Sequence, residues 1–263
     1  MRNALTVASV VLRCWARRKE GYVFVALMAG LQYAVASLDV LGGGGSALYI
    51  FDAGLLLAWL FGWAVAVHAG ATELPTEEAR GTVYLLLAKP LHRGELLLGK
   101  WLGAWLVVAT CTLAFYAVAL CSARLAGLTP PGTVLLQAGL LHLVSLAVLT
   151  AMAMAFSTRL NRDAAAAITV VAAIALYLVV PRIPQLAHYA VGWRAVALDA
   201  LYYGLPHLEL FDLRRRLLHG YGPLPAGVVL TLVAYGAVWT GALLTAAWLS
   251  YRTRRFRRDR LLE

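Results

Sequence analysis

The sequence predicts an all-α membrane protein that crosses the bilayer six times, and three observations carry that prediction. Hydrophobic residues make up 62% of the 263, with a mean hydropathy of +0.74. Charged residues are only 14%. They are also segregated: six stretches of 18 to 29 residues contain no Asp, Glu, Lys or Arg, namely 21–38, 53–72, 101–123, 133–156, 164–181 and 223–251. Crossing a bilayer as a helix takes about 20 apolar residues, so each stretch reads as a span. This composition excludes a soluble globular enzyme, a disulfide scaffold and a disordered chain. An outer-membrane barrel is excluded too, because its strands are about 10 residues long and alternate apolar with polar.

Residues 1–20 do not read as a cleaved signal peptide, since the short apolar run is followed by Arg13, Arg17, Arg18 and Lys19 with no small-residue cleavage site. Leu5, Ala8, Leu12 and Trp15 recur at helical spacing, which predicts an amphipathic helix in the membrane interface with its basic side chains toward lipid phosphates. The Gly42, Gly43, Gly44, Gly45, Ser46 run between spans one and two is a flexible connection. Gly127 to Gly132, with Pro130 and Pro131, forms a tight turn between spans three and four. A short loop, 157–163, joins spans four and five, and a basic tail, 252–263, follows span six. The whole chain, 1–263, is read as one transmembrane domain.

Net charge is +10, but its placement argues for orientation rather than for nucleic acid. With six spans and both termini in the cytoplasm, 17 of the 23 basic residues fall on the inner side and 6 on the outer, as the positive-inside rule requires. No nucleic-acid partner is expected.

Two segments are too long to be simple connections. In the inner one, 73–93, Pro75 and Thr76 read as a helix start, Glu77 and Glu78 fit the first turn, and Pro90 ends the helix after Lys89. The outer one, 182–222, has amphipathic spacing over 185–203, a break at Gly204, Leu205 and Pro206, and a second amphipathic stretch over 207–219. There Leu210, Leu213 and Leu217 share one face and Glu209, Asp212 and Arg216 another, with Asp212 spaced to pair with Arg216.

The ordered set Glu78, Arg80, Gly81, Thr82, Leu85, Leu86, Leu87, Pro90, Arg93, Gly99 and Lys100, lying between two spans, resembles the segment between the second and third spans of ABC-2 type transporter permeases. The span count, the basic N-terminal helix and the long outer segment before the last span are similar to that family as well, so the resemblance covers nearly the whole chain. A looser likeness is to the permease of the nitrous-oxide-reductase maturation transporter. His92 departs from the pattern, standing where the family often has Ser.

The resemblance implies a multi-pass permease of the bacterial inner membrane that exports a substrate. It implies two copies of an ABC ATPase subunit as partners, a second permease (a homodimer), membrane lipids, and room for a periplasmic accessory protein. ATP and Mg would belong to the ATPase, with no cofactor in this chain. Carried over by position, Glu77, Glu78, Arg80, Gly81, Thr82, Pro90 and Arg93 are the candidates for coupling to the ATPase. Pro206, Glu209, Phe211, Asp212 and Arg216 are candidates for an external gate built of short re-entrant helices. The alternative reading is a scaffold that anchors a partner complex without transport.

Other motifs are weaker. Gly94, Gly99 and Lys100 approach a P-loop, but Trp101 stands where Ser or Thr must hold Mg²⁺ and no strand precedes them. No catalytic constellation or metal-ligand spacing is present in the sequence. His68 and His142 lie inside spans and are expected to hydrogen-bond neighbouring helices. Mid-membrane ionisable pairs of the kind that ion-coupled carriers use are not expected.

Overall fold

The computed structural model describes residues 2–37, 46–79 and 92–252. They form ten α-helices: α1 (Arg2–Arg17), α2 (Glu20–Ser37), α3 (Ser46–Ala79), α4 (Arg93–Leu125), α5 (Gly132–Ser157), α6 (Arg162–Leu178), α7 (Ile183–Tyr189), α8 (Trp193–Gly204), α9 (Arg214–Leu218) and α10 (Ala226–Arg252). Short 3₁₀ turns, Val180–Arg182 and Leu208–Phe211, precede α7 and α9. No strand occurs among the described residues, and the protein is an all-α membrane protein.

Among the described residues, five segments are long and apolar enough to cross a membrane: Ala47–Thr76, Arg93–Leu125, Gly132–Ser157, Arg162–Tyr189 and Ala226–Arg252. The six expected spans exceed this count by α2, whose 18 residues include Glu20 and a buried Gln32. An 18-residue helix is about 27 Å long, just short of the hydrocarbon thickness. Two contacts nonetheless fix its course beside α3. Glu20 meets His68 at 3.0 Å, and Gln32 Nε2 donates to the Ile50 carbonyl at 2.8 Å and to Ser122 Oγ at 2.8 Å. So α2 runs antiparallel to α3 along the apolar stretch of that helix.

The long helices α3 and α4 pack on each other, and α5 packs against α3, α4, α6 and α10. Residues 73–79, 92–100, 157–162 and 250–252 gather at one end of the bundle, here the terminal end; 125–132 and 206–224 lie at the opposite, far end. The terminal-end grouping is fixed by side chains: Arg159 Nε donates to Ser250 Oγ at 2.6 Å, and Arg93 reaches the last turn of α10. The far end is fixed by Gln137, which donates to the Leu224 carbonyl at 3.0 Å and accepts from the Leu224 N–H at 2.8 Å.

The expected repeat on α1 is half right. Ala8 and Trp15 are buried, together with Val11, whereas Leu5 is 61% and Leu12 37% exposed. The cause is the partner surface. α1 lies along the start of α4, where a methyl group on Gly99 would stand 2.7 Å from the Ala4 carbonyl oxygen and one on Gly103 would stand 2.6 Å from Val11 Cβ. The glycine pair lets the backbones approach closely. Lys19, at φ 58°, then turns the chain into α2.

Two further expectations change in the outer segment. Residues 185–203 are not one helix: the chain breaks at Gly192, whose φ of +69° suits glycine, and continues as α7 and α8. Residues 207–219 are not one helix either. They form a 3₁₀ turn and α9, so Leu208, Phe211, Leu213 and Leu217 are buried while Leu210 is 46% exposed.

Candidate functional site

At the terminal end, α3 does not stop for a new helix at Pro75. It runs through Pro75 to Ala79, so Thr76 lies in its interior and caps nothing. Proline costs the Ala71 carbonyl its helical donor, and the helix nonetheless continues to Ala79. Glu77 and Glu78 belong to the last turn of α3 by backbone; their side chains, and the whole of Arg80, Gly81, Thr82 and Pro90, lie outside the described residues.

The roots of that inner segment are well defined. Glu73 of α3 is buried and accepts from Lys100 Nζ at 3.1 Å through Oε2, and from Trp15 Nε1 at 3.2 Å through Oε1. Both charged side chains are 7% exposed. One carboxylate thus joins α1, α3 and α4. Lys100, the end of the false P-loop, is used here as the cation of an ion pair within the fold. Arg93, at the start of α4, donates through Nη1 to the carbonyls of Tyr251 at 3.1 Å and Arg252 at 3.2 Å, with its guanidinium 6.0 Å from the Tyr251 ring centre. Arg93 thereby joins the start of α4 to α10.

At the far end, the segment between α8 and α10 enters the bundle. Pro206, His207, Leu208 and Phe211 are buried. Phe211 packs on Tyr235, with ring centres 6.2 Å apart, and closes on Gly236 of α10. Gly236 is ten residues from the start of α10, about 15 Å along the helix axis, so the turn reaches into the bundle. Asp212 follows it. Its carboxylate accepts from the Tyr177 hydroxyl of α6, from the Arg214 backbone N–H at 2.9 Å, and from Arg214 Nε and Nη2 at 3.0 and 2.7 Å. The Asp212–Arg216 pair expected from helical spacing does not form, because these residues are not on one helix. Arg216 donates instead to the Gly222 carbonyl at 2.7 Å. Burial pushes the Asp212 carboxyl up, but the bonds from Arg214 and Tyr177 and the arginine charge outweigh it and hold the group below its usual value. For Arg214, burial pulls down and Asp212 pulls up more strongly, leaving the guanidinium above its usual value.

Arg214 also lies over the Trp59 ring of α3 at 5.1 Å, and Trp59 stacks on His142 of α5 at 4.5 Å and 5°. His68 hydrogen-bonds another helix as expected, through Glu20. His142 does not: neither ring nitrogen has a hydrogen-bond partner among the described residues, and stacking on Trp59 is its main contact. Glu209 accepts from or donates to His207 Nδ1 at 2.9 Å, according to which of them carries the proton. Of the gate candidates read from the sequence, Pro206, Glu209, Phe211 and Asp212 lie together here, and the structure adds Arg214, His207, Tyr177 and Trp59 as their contacts. The Asp-x-Arg spacing was the available signal for Arg214. It is invisible to a helical search because residues two apart do not face each other on a helix. Among the described residues, no group of three His, Cys, Asp or Glu side chains could hold a metal ion.

Long apolar helices packed on one another define a multi-pass α-helical membrane protein. The family model for ABC-2 family transporter proteins matches residues 16–255, and the chain belongs to that family. It is therefore a transmembrane permease subunit and not itself the ATPase; members of the family generally work with a separate ABC ATPase. A comparison with curated proteins gave no match.

Proposed function

We propose that this permease exports its substrate under the drive of two copies of a separate ATPase subunit, which bind ATP and Mg, and that it works as a homodimer. The terminal end faces the cytoplasm of a bacterial inner-membrane protein, α2 serves as the sixth span, and the far-end turn is the external gate. The observation that supports coupling most is the anchoring of the 80–91 segment: Glu73–Lys100 and Arg93 tie its two roots into α1, α3, α4 and α10. A displacement of that segment by a partner has to move these helices together. α3 and α5 in turn carry the Trp59 and His142 rings under Arg214, which gives a physical route from one end to the other.

Replacing Glu78 with Lys should put repulsion or an unpaired charge into the ATPase contact, costing about 2–5 kcal/mol if that contact is buried. Gly81→Leu should obstruct close approach by bulk. Neither lies in a span, so both variants should insert normally. The check is pull-down of the ATPase and coupled ATP hydrolysis. Full association and full coupling in both variants would sink the coupling assignment and leave the segment an interfacial helix. Orientation is checked separately by single-cysteine labelling in intact cells: a position at Arg162, exposed at the terminal end, should be protected and one at Tyr221 should react from outside, and the reverse pattern defeats the topology.

A further inference from the structure

We propose that the external gate carries a proton-operated latch, formed by His207 and Glu209, that holds the far-end turn closed when the outer side is acidic and loosens it as that side becomes alkaline. The proposal rests on the gate reading above and names its regulation. Both ring nitrogens of His207 face acceptors: Nδ1 is 2.9 Å from Glu209 Oε1, and Nε2 is 3.1 Å from the Tyr202 carbonyl oxygen. A backbone carbonyl can only accept, so Nε2 must carry a proton. An ionised carboxylate can only accept as well. Nδ1 must then be protonated too, or else Glu209 is protonated and donates to it. Both arrangements hold one proton more than a neutral imidazole beside a carboxylate. Glu209 Oε2 is buried without a hydrogen-bond partner among the described residues, so the ionised form gains nothing on its other oxygen. When the shared proton leaves, one of the two bonds is lost and a lone pair faces an acceptor.

The position of the ring makes that loss consequential. Tyr202 is on α8, Glu209 is in the 3₁₀ turn, and the His207 N–H donates to the Tyr235 hydroxyl of α10 at 3.0 Å. The ring also packs edge-on against Tyr202, with centres 4.4 Å apart. The imidazole therefore fastens the turn bearing Leu208 and Phe211 to α8, while the backbone N–H of the same residue ties it to α10. The titratable groups against it are Glu209 on its own segment, Tyr202 from α8 and Tyr235 from α10. From α6, Tyr177 meets the segment further along, at Asp212 and Arg214. Of these groups, the His207–Glu209 pair is the one whose hydrogen bonds need a proton beyond those of a neutral imidazole and a carboxylate.

The test is amide exchange on the full chain in lipid nanodiscs, corrected for intrinsic rates, on peptides covering 205–218 between about pH 5.5 and 8.5. The wild type should lose about tenfold protection as pH rises, the scale of one lost charge-assisted hydrogen bond. Glu209→Gln should stay protected at every pH, because a glutamine N–H can donate to Nδ1 while Nε2–H still reaches Tyr202, with no extra proton needed. His207→Ala should be weakly protected throughout. A wild type whose protection does not change with pH overturns the proposal, as does a Glu209→Gln variant that loosens like the wild type. A wild type that loosens as expected, while the coupled ATP hydrolysis of Glu209→Gln matches it at every pH, leaves the latch in place and removes only the gate assignment.

Discussion

Lys100→Met should destabilise the assembled protein by about 3–5 kcal/mol, the usual cost of removing one partner from a buried ion pair. Glu73 would keep the Trp15 indole N–H but lose its cation in a site where both side chains are 7% exposed. The penalty comes from the stranded carboxylate rather than from the intrinsic worth of the pair. Replacing both partners should therefore cost less than replacing one. The double variant Glu73→Leu with Lys100→Met should recover part of the lost stability, because an apolar pair strands no charge and leaves only the Trp15 indole N–H without its acceptor. Thermal unfolding in detergent of the two single variants and the double gives the coupling energy directly. A Lys100→Met variant within about 1 kcal/mol of wild type would show that water screens the pair and would remove it as an anchor. Coupled ATP hydrolysis should separate the variants differently. The double variant regains stability without restoring the directional bond between α3 and α4, so it should fold and couple poorly.

How much of this was legible in the sequence differs between the spans and their contacts. Helix positions follow from charge-free runs, since a bilayer accepts only backbone whose polar groups are satisfied internally; α4, α5, α6 and α10 begin and end within a few residues of the charges and prolines that bound them. Contacts do not follow from such runs. Glu73 and Lys100 are 27 residues apart on different helices, and nothing local marks them as partners. The face of α1 was misjudged because hydrophobicity alone ranks Leu5 and Leu12 above Ala8. What decides burial there is the fit to Gly99 and Gly103, which a single helix cannot reveal. His142 was expected to find a hydrogen-bond partner. It stacks on Trp59 instead, and that preference depends on a ring from another helix.

The outer segment shows the same division. The break before Pro206 was placed correctly, but the apolar face expected over 185–203 is not buried: Leu186, Tyr189, Trp193, Val196 and Leu201 are exposed. The secondary structure after the break was not legible, because helical spacing was imposed on a stretch that folds as a 3₁₀ turn. That error produced the wrong partner for Asp212. In a turn, residues two apart can meet, and the arginine at 214 reaches the carboxylate by both its backbone N–H and its guanidinium.

Arg214→Gln should loosen the far end as strongly as Lys100→Met loosens the terminal end, by about 3–5 kcal/mol. Asp212 would retain the Tyr177 hydroxyl and the backbone N–H of residue 214 but lose the charge that offsets its burial, in a site where its side chain is 11% exposed. The cation over Trp59 would go with it. Arg214→Lys should fall between, since an ammonium keeps the charge but not the two-nitrogen contact or the stacking. The pH dependence has a definite sign. Because the Asp212 carboxyl is held below its usual value, its contribution is fully present above the unfolded-state pKa, near 4, and is lost as pH falls through the lower folded value. Arg214→Gln removes the cause of the depression and leaves the burial, so the acid loss should begin at higher pH than in the wild type. This runs opposite to the His207–Glu209 latch, which weakens toward alkaline pH, so one pH series of amide exchange over 208–218 separates the two. Wild-type protection in Arg214→Gln at neutral pH, with an unchanged acid limb, would mean that the aromatic and aliphatic packing of Phe211 and Leu208 holds the turn without the ion pair.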